Sequence, residues 1–419
     1  MAIHESAAKG FAAAADAYER GRPTYATESI ERLIAELGIG PGKRVLDLAA
    51  GTGKLTRQIA PSGAEIVAVE PIDEMRARLE ASLPGVNVIP GVAEDIPLPN
   101  HSVDAVVVGQ AFHWFDGIRA VSEIRRVLKP TGAVGLIWQA RDPNQPWIVK
   151  LEEIIDRIDD GHPRYRTEAW REAFDLTALF DPIEEAVYPY VQHGSPETIV
   201  DRVASISYVA SLPAEVREPY LDEVRDLLAT DPATAGKDVI ELPYTSHIYW
   251  SRPRTVPAEP GLGFVASVNG NDGGVPKPPI GRSYLRKLGV DNDRQADRKH
   301  HGGPLQAVCL HSIEAQDRIR ADGHQAFPGA YGDNLTLLGI DWASLASGNR
   351  LEIGAPGEGP LLQLTEDATP CTKQSQWFVD GRIGRISVAE YPQDMRWYAS
   401  VVREGPVAAG DPVRLARGA

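Results

Sequence analysis

The stretch Val45-Leu-Asp-Leu-Ala-Ala-Gly-Thr-Gly-Lys-Leu-Thr56 decides the fold of the first part of the chain. It runs from an apolar strand into a glycine-rich turn that opens a helix. Glycines permit tight backbone geometry at such a turn and let a ligand approach the main chain closely. A dinucleotide site would need G-x-G-x-x-G, and here the third glycine is missing. Asp47, inside the strand, would repel a pyrophosphate but suits a ligand that carries an amino group.

Strands and helices alternate on both sides of this turn. The pattern predicts helices at 12–19, 27–37, 55–60, 73–83 and 118–128, and strands at 44–48, 65–69, 87–89, 103–108 and 133–137. This alternation indicates βαβ units and a mainly parallel sheet, an α/β Rossmann-like arrangement. Residues 149–228 are predicted to be mostly helical and to form a cap. A late strand is predicted at 242–250.

A change in amino-acid composition and hydrophobic pattern indicates a second domain. Residues 253–261 are dense in proline and lack hydrophobic periodicity, which is typical of a linker. Beyond them, short apolar runs alternate with glycine and proline, and one main helix is predicted near 307–321. We therefore predict a first domain at 1–252, a linker at 253–261 and a β-rich, barrel-like domain at 262–419.

Charge and cysteine content narrow the function classes. The 419 residues carry a formal net charge of -15, and 26 basic against 39 acidic residues precede Val256. An acidic first domain argues against nucleic-acid binding, which needs basic patches. Two cysteines form no disulfide framework, and the start of the chain lacks an apolar signal segment, so we expect a cytoplasmic protein. No apolar run is long enough to predict a membrane span.

Polar and small residues follow each of the first four strands. Glu70 ends the second strand, where its carboxylate can accept hydrogen bonds from a ribose diol. The segment Gly91-Val-Ala-Glu-Asp-Ile-Pro97 follows the third strand, and Gly109-Gln-Ala-Phe-His-Trp-Phe-Asp116 follows the fourth. Ligands of open α/β sheets bind outside the carboxyl ends of the strands, so these segments and the glycine turn are expected to form one site.

This set of motifs resembles the class I S-adenosylmethionine-dependent methyltransferases, in particular the small-molecule group that includes trans-aconitate methyltransferase. The resemblance covers roughly 10–252 and includes Phe11…Ala15-Asp-Ala-Tyr18…Gly21-Arg-Pro-Thr-Tyr25, a segment that closes over the cofactor in that family. It implies that S-adenosylmethionine is the cofactor and that the following residues bind it: Tyr18, Arg22, Asp47, Ala49, Gly51, Gly53, Glu70, Pro71, Ala93, Glu94 and Gln110. It also implies that His113 and Trp114 line the substrate side, with Ser205–Pro213 as a substrate-facing cap.

Several of these side chains have two interpretations. His113 is either catalytic or a packed neighbour of Trp114, because methyl transfer can proceed by positioning alone. Arg22, Arg141 and Tyr208 either bind a substrate carboxylate or have surface or structural roles.

The second domain resembles the MOSC domains, which are named after the C-terminal part of molybdenum cofactor sulfurases. The resemblance covers about 262–415 and rests on these motifs: Ser267-Val-Asn269, Gly273-Gly-Val-Pro-Lys277, His300-His-Gly-Gly303, Gly329-Ala-Tyr-Gly-Asp-Asn-Leu-Thr336, Thr369-Pro-Cys371 and Arg396-Trp-Tyr398. It implies that Cys371 carries sulfur as a persulfide or contacts molybdenum. Lys277, His301 and Asn334 are expected at its substrate.

Local chemistry agrees with a functional Cys371. Pro370 favours an extended approach to it, and Lys277 or His301 could promote the thiolate, the nucleophilic form. Cys309 is predicted to lie in the helix near 307–321 as a small core residue. Asp333 stands where the family usually has Glu, and the acidic stretch Glu366-Asp-Ala-Thr369 replaces an Arg that many members carry. These departures favour sulfur handling over binding of the molybdenum cofactor, which stays a candidate.

The sequence therefore predicts methyl transfer from S-adenosylmethionine to O or S of a small molecule, with His113 as the candidate catalytic residue, coupled to a second domain that handles sulfur through the catalytic Cys371. Two alternatives stay open: a molybdenum-binding or C–S-processing enzyme centred on the second domain, or a second domain that only recruits a sulfur donor. A small-molecule substrate, a sulfur donor protein and a homodimer are the expected partners. No metal-ligating residues are predicted.

Overall fold

A computed structural model describes residues 20–158, 161, 163–295 and 302–416. The chain divides into two compact units. Unit 1 holds the chain up to Asp116 together with Val127–Trp170 and Ile183–Arg252, and unit 2 holds Gly117–Arg126, Arg171–Pro182 and the chain from Pro253 onward. The domain boundaries 1–252, 253–261 and 262–419 stay a prediction.

Unit 1 is built on a seven-stranded sheet in the order β3-β2-β1-β4-β5-β7-β6. The strands are β1 Arg44–Leu48, β2 Glu65–Val69, β3 Asn87–Ile89, β4 Val103–Gly109, β5 Leu128–Arg141, β6 Glu184–Gly194 and β7 Ile240–Ser251. The first five pair in parallel, and β7 and β6 continue the sheet antiparallel. The predicted mainly parallel Rossmann-like sheet is confirmed.

The described residues before Pro253 also form nine α-helices. They are α1 Thr27–Leu37, α2 Lys54–Ile59, α3 Asp73–Ser82, α4 Gly117–Val127, α5 Pro146–Asp156, α6 Glu172–Asp175, α7 Pro196–Ala204, α8 Ser207–Ala210 and α9 Ala214–Thr230. Three clear predictions from helical spacing, at 27–37, 73–83 and 118–128, agree with α1, α3 and α4 to within one residue at either end. The helix expected at 12–19 lies outside the described residues.

The glycine turn after β1 connects strand and helix at close quarters. Val45, Leu46 and Leu48 are buried because β1 lies between β2 and β4, as expected for a parallel strand covered on both faces. Gly53 adopts a φ of 81°, and a Cβ there would lie 2.9 Å from Leu79 Cγ on α3. Glycine is therefore required for both its backbone conformation and its close packing.

The predicted helical character of residues 149–228 is wrong over one stretch. Glu184–Gly194 forms β6, an edge strand of eleven residues whose exposure alternates along the chain. Pro189 lies in its middle, and proline is tolerated on an edge strand because its missing N–H can face solvent. Charged residues at the start of the stretch and the internal proline obscured the period of two that marks a strand.

Unit 2 contains a closed seven-stranded barrel in the order β11-β12-β8-β17-β13-β14-β15 and a three-stranded sheet in the order β10-β9-β16. The strands are β8 Leu262–Val268, β9 Arg282–Arg286, β10 Gly289–Val290, β11 Val308–Ser312, β12 Leu335–Leu338, β13 Arg350–Ile353, β14 Leu361–Asp367, β15 Trp397–Arg403, β16 Gly405–Ala408 and β17 Pro412–Ala416. Inward side chains of the barrel strands form a buried apolar core. The predicted β-rich, barrel-like domain is confirmed.

One helix follows β11, but it begins later than expected. Helix α10 spans Ile313–Ala321, and the side chain of Ser312 caps it by accepting the N–H of Ala315. The residues before Ser312 belong to β11, all five of which are buried. The placement of Cys309 in a helix is therefore wrong: its continuous apolar surroundings are those of a barrel strand.

Two segments that precede Pro253 belong to unit 2. On α4, Glu123 pairs with Arg126 at 2.6 Å and with Arg320 of α10 at 3.2 Å. The Ala178 N–H donates to the carbonyl of Ala266 on β8 at 2.8 Å. Unit 2 is thus assembled from three stretches of chain. Within the described part of the protein, no helix is long and apolar enough to cross a membrane.

Candidate functional site

A cavity of about 1060 Å³ opens at the carboxyl ends of the parallel strands of unit 1. Twelve of the residues that line it were singled out from the sequence: Arg22, Ala49, Gly51, Glu70, Pro71, Ala93, Glu94, Gln110, His113, Trp114, Arg141 and Tyr208. The loops after β1, β2, β3 and β4 therefore do meet at one edge of the sheet, as the rule for open α/β sheets requires.

Glu70 holds the glycine turn in place. Its Oε2 accepts the N–H of Gly51 at 2.9 Å, and its Oε1 accepts the N–H of Ile72 at 2.9 Å. Burial raises the pKa of Glu70 even though both hydrogen bonds act to lower it. Each carboxylate oxygen has a second acceptor position, so the same group can fix the turn and still accept from a ligand diol.

Asp47 lies behind this wall of the cavity. It is fully buried, its Oδ2 accepts the Thr56 hydroxyl at 2.5 Å, and neither Asp47 nor Gly53 lines the cavity. Burial, together with the charge of Glu70, raises the pKa of Asp47 to about 7. Contact of Asp47 and Gly53 with a methyl donor stays a prediction, and Tyr18 lies outside the described residues.

A hydrogen bond joins the loops after β3 and β4. The N–H of Asp116 donates to Oε1 of Glu94 at 2.8 Å. Ala93 is buried beside it and lines the cavity with a side chain of a single methyl group. This arrangement suits a planar group such as adenine lying against the loop.

His113 has one hydrogen-bond partner in the described structure. The indole Nε1 of Trp138, on β5, donates to Nδ1 of His113 at 3.2 Å. Burial, and secondly the positive charge of Arg22, lowers the pKa of His113 to about 3. The imidazole is therefore neutral at physiological pH and lies at the cavity wall next to Trp114.

A second, cationic part of the cavity is built from the N-terminal segment and α7. Arg22 donates from Nε to the Ser205 hydroxyl at 3.2 Å and from Nη2 to the Ser205 carbonyl at 3.1 Å. Gly21 packs directly on α7, since a Cβ at this position would lie 2.4 Å from the backbone nitrogen of Arg202. This close approach brings two guanidinium groups to the same wall.

Arg202 is the unusual member of this wall. Its side chain is buried, with 8% of the residue exposed, and Nε and Nη1 make no hydrogen bond within the described structure. Burial, and secondly the charge of Arg22, lowers the pKa of Arg202 to about 9, although the nearby hydroxyl of Tyr244 acts to raise it. Arg141, by contrast, is paired with Glu152 at 2.5 Å. Arg202 is thus a buried cation whose strongest charged neighbour is another cation.

The sequence interpretation missed Arg202 and Glu152. Arg202 lies on α7 among Ile199, Val200 and Val203, all of which are buried. The sequence signal for Arg202 was a basic residue on the apolar face of an amphipathic helix, because a charged side chain is rarely buried unless it has a partner.

In unit 2 the residues expected at a substrate are tied to one another. Lys277 Nζ and Asn334 Nδ2 both donate to Oδ2 of Asp293, at 2.8 Å and 2.9 Å. The side-chain oxygen of Asn334 accepts the N–H of Cys309 at 3.1 Å. Lys277 and Asn334 therefore have structural partners, their substrate contact stays a prediction, and His301 lies outside the described residues.

The two cysteines of unit 2 differ in exposure. Cys309 is buried and its thiol lies 3.9 Å from Nη1 of Arg396; burial raises the pKa of that thiol although Arg396 opposes the shift. Cys371 is half-buried, has extended backbone and caps a short 3₁₀ helix, with its N–H donating to Oε1 of Gln374 at 3.0 Å. The more accessible thiol is therefore the one singled out from the sequence. Across the described ranges, no cluster of three or more His, Cys, Asp or Glu residues could hold a metal ion.

Comparison with known proteins assigns relatives to both parts of the chain. Residues 46–136 match the methyltransferase domain family, and residues 297–414 match the MOSC domain family. Uncharacterized methyltransferase Rv3342 of Mycobacterium tuberculosis is 44% identical over 236 residues, which are 56% of this chain and 92% of that protein. An uncharacterized methyltransferase-like protein of Schizosaccharomyces pombe is 35% identical over 235 residues, 56% of this chain and 91% of its own length. The solved structure of YcgJ from Bacillus subtilis is 21% identical, with a TM-score of 0.39, and covers 55% of this chain and 100% of its own.

Proposed function

The chain belongs to the S-adenosylmethionine-dependent methyltransferases and carries a MOSC domain as well, and from this premise we propose that it methylates a carboxylate oxygen of a small organic acid. The observation that carries the choice of acceptor is Arg202, a buried guanidinium with unused donors at Nε and Nη1 that lines the same cavity as Arg22. A carboxylate accepts from such donors in pairs and neutralises the charge.

The residues along the sheet edge fit the methyl donor. Glu70 has acceptor positions for a ribose diol, Ala93 and Glu94 flank a flat surface for adenine, and Gly51 lets a ligand reach the main chain. When bound, S-adenosylmethionine supplies a methyl group on a positively charged sulfur, and an acceptor lone pair forms the new bond to carbon as the carbon–sulfur bond breaks.

The acceptor half of the cavity positions the acceptor oxygen and does not need to transfer a proton. A carboxylic acid is already ionised at neutral pH, so its methylation releases no proton and needs no base. Holding the oxygen in line with the methyl carbon is then the main requirement, and a rigid arginine pair achieves it. Gln139, Thr245 and His247 also line the cavity and offer polar contacts to the remainder of the acid.

The test uses full-length protein, methyl-labelled donor and a panel of small mono-, di- and tricarboxylic acids with matched alcohols and thiols. We expect base-labile label on acids and a rise in acceptor KM in Arg22→Met and Arg202→Met. Arg225→Met, at an exposed arginine on α9 paired with Asp222, is the matched control and should behave as wild type. Equal labelling of thiols, insensitive to Arg202→Met, would contradict the proposal and favour transfer to sulfur.

For the MOSC domain we propose sulfur handling at Cys371. Its half-buried position at the start of a 3₁₀ helix supports this role, because a reactive cysteine must be reached by its partner. The sulfur would come from a separate donor protein, and a coupled enzyme would methylate the product. If Cys371→Ser leaves the conversion of every sulfur-containing acceptor unchanged, coupling is wrong.

A molybdenum-centred activity is the second candidate, favoured only by the MOSC match. The side chain of Arg396, whose Nη1 lies 3.9 Å from the Cys309 thiol, donates to the carbonyls of Tyr331, Ala368 and Thr369. These bonds engage it with the main chain rather than with an anionic cofactor. Metal analysis of full-length protein made with a supply of molybdenum cofactor decides between the two candidates, and size-exclusion chromatography with light scattering tests the expected homodimer.

A further inference from the structure

The cavity holds a histidine whose proton position is set by its neighbour. We propose that Trp138 locks His113 in the tautomer with hydrogen on Nε2, so that His113 donates a hydrogen bond to the acceptor's oxyanion and never serves as its base. The proposal rests on the function proposed above for the acceptor, and it adds a positioning and specificity role for His113.

The first step is the direction of the hydrogen bond between the two rings. An indole nitrogen can only donate, and Trp138 Nε1 lies 3.2 Å from Nδ1 of His113. Nδ1 must therefore offer its lone pair, and a neutral imidazole that accepts at Nδ1 carries its hydrogen at Nε2. Trp138 is itself fixed, because it is fully buried and stacks on Tyr165 with ring centroids 4.9 Å apart.

The second step excludes base chemistry. A base that acts through Nε2 begins with its hydrogen on Nδ1 and ends, after it has taken up a proton, with hydrogen on both nitrogens. In either state an N–H at Nδ1 faces the indole N–H, and a buried donor loses its acceptor. The positive charge of Arg22 also opposes the imidazolium, and the causes of the shift in the pKa of His113 include no carboxylate that would raise it.

The third step assigns the remaining nitrogen. Nε2 has no hydrogen-bond partner in the described structure, and His113 lines the cavity together with Arg22 and Arg202. A donor at this position complements an oxyanion held by the two arginines. It follows that acceptors must arrive already ionised, so that carboxylates are methylated whereas alcohols of the same shape are not.

Two variants separate a donor from a base. Glutamine places an N–H close to the position of Nε2 but cannot take up a proton, whereas leucine supplies neither. We expect His113→Gln to keep kcat/KM for an acid within about threefold and His113→Leu to lose about tenfold or more. A base would make both variants fall by roughly 10²–10⁴. His193→Gln, at an exposed position on β6, is the matched control.

Nitrogen-15 NMR on full-length protein labelled at histidine measures the tautomer of each imidazole ring in the absence of any acceptor. The signal that disappears in His113→Gln is assigned to His113. We expect a neutral ring with hydrogen on Nε2 from about pH 5.5 to 8.5 and a flat kcat/KM over the same range. Hydrogen on Nδ1, or titration near the ordinary histidine pKa, would overturn the proposal. Because this readout needs no substrate, its failure is distinct from a failure to find a methylated acid.

Discussion

Replacing Arg202 by methionine should stabilise the free protein and weaken binding of the acceptor. At pH 7 Arg202 is protonated in both the folded and the unfolded chain, since its pKa of about 9 in the fold and its ordinary value of 12.5 both lie above that pH. The full cost of burying the charge therefore applies, and it is relieved only as pH rises above 9. The two pKa values correspond to about 5 kcal/mol as an upper limit, at 1.36 kcal/mol per pH unit.

The measured change in the free energy of unfolding will be smaller than this limit, because the residues around Arg202 relax. We expect the free energy of unfolding of Arg202→Met to rise by about 1–3 kcal/mol, and its melting temperature to rise by roughly 2–8 °C. Loss of a buried charge pair with the acceptor costs about 2–5 kcal/mol, so kcat/KM for an acid should fall by roughly 30-fold or more.

Thermal unfolding with and without acid, and initial rates with the same acid, measure both effects. Arg202→Lys is the charge-preserving control and should recover part of the activity without the gain in stability. If Arg202→Met melts below wild type and retains its acceptor KM, then Arg202 is a packing residue and the assignment of an anion to this wall is wrong.

Three further changes test other parts of unit 1. Asp47→Asn should flatten the fall in melting temperature between about pH 4 and 7, because an acid whose pKa is raised from 3.8 to about 7 favours the fold below pH 4 and loses that contribution as the pH rises to 7; an unchanged pH profile would refute the burial argument. Gly21→Ala should raise acceptor KM about tenfold with little change in donor affinity, since a Cβ would clash with the backbone of Arg202; initial rates measure the KM, and calorimetry measures the donor affinity. Glu70→Gln should weaken donor binding at least tenfold in calorimetry, because an amide nitrogen would face one of the N–H groups that Glu70 now accepts; wild-type affinity would contradict this.

The first half of the fold could be predicted because its signals are local. The strand ending in Leu48, the glycine turn and the position of Glu70 are each encoded within a few residues, and the rule for parallel sheets then brings their loops together. The barrel could be predicted only as a class, because its motifs do not state which strands pair.

The misses have physical causes. The edge strand around Pro189 has one half-exposed face and charged ends, so its period was obscured. Cys309 lies in a buried strand that passes directly into α10 with no glycine or proline between them, and periodicity alone does not separate a buried strand from a buried helix. The position of Arg202 on an apolar helix face is encoded locally, but its place at the site depends on the packing of Gly21 against α7, a contact between residues far apart in sequence.

The way unit 2 gathers its chain has a consequence for anyone who wishes to express the halves apart. A chain stopped after Arg252 would lack Arg320, so Glu123 would keep Arg126 but lose its second cation, and the Ala178 N–H would lose the strand carbonyl that now accepts it. Loss of part of a buried charge network and of the acceptor for a buried N–H are both destabilising. Truncation should therefore lower the stability of the fragment, and a loss of activity in it would not by itself be evidence of communication between the two chemistries.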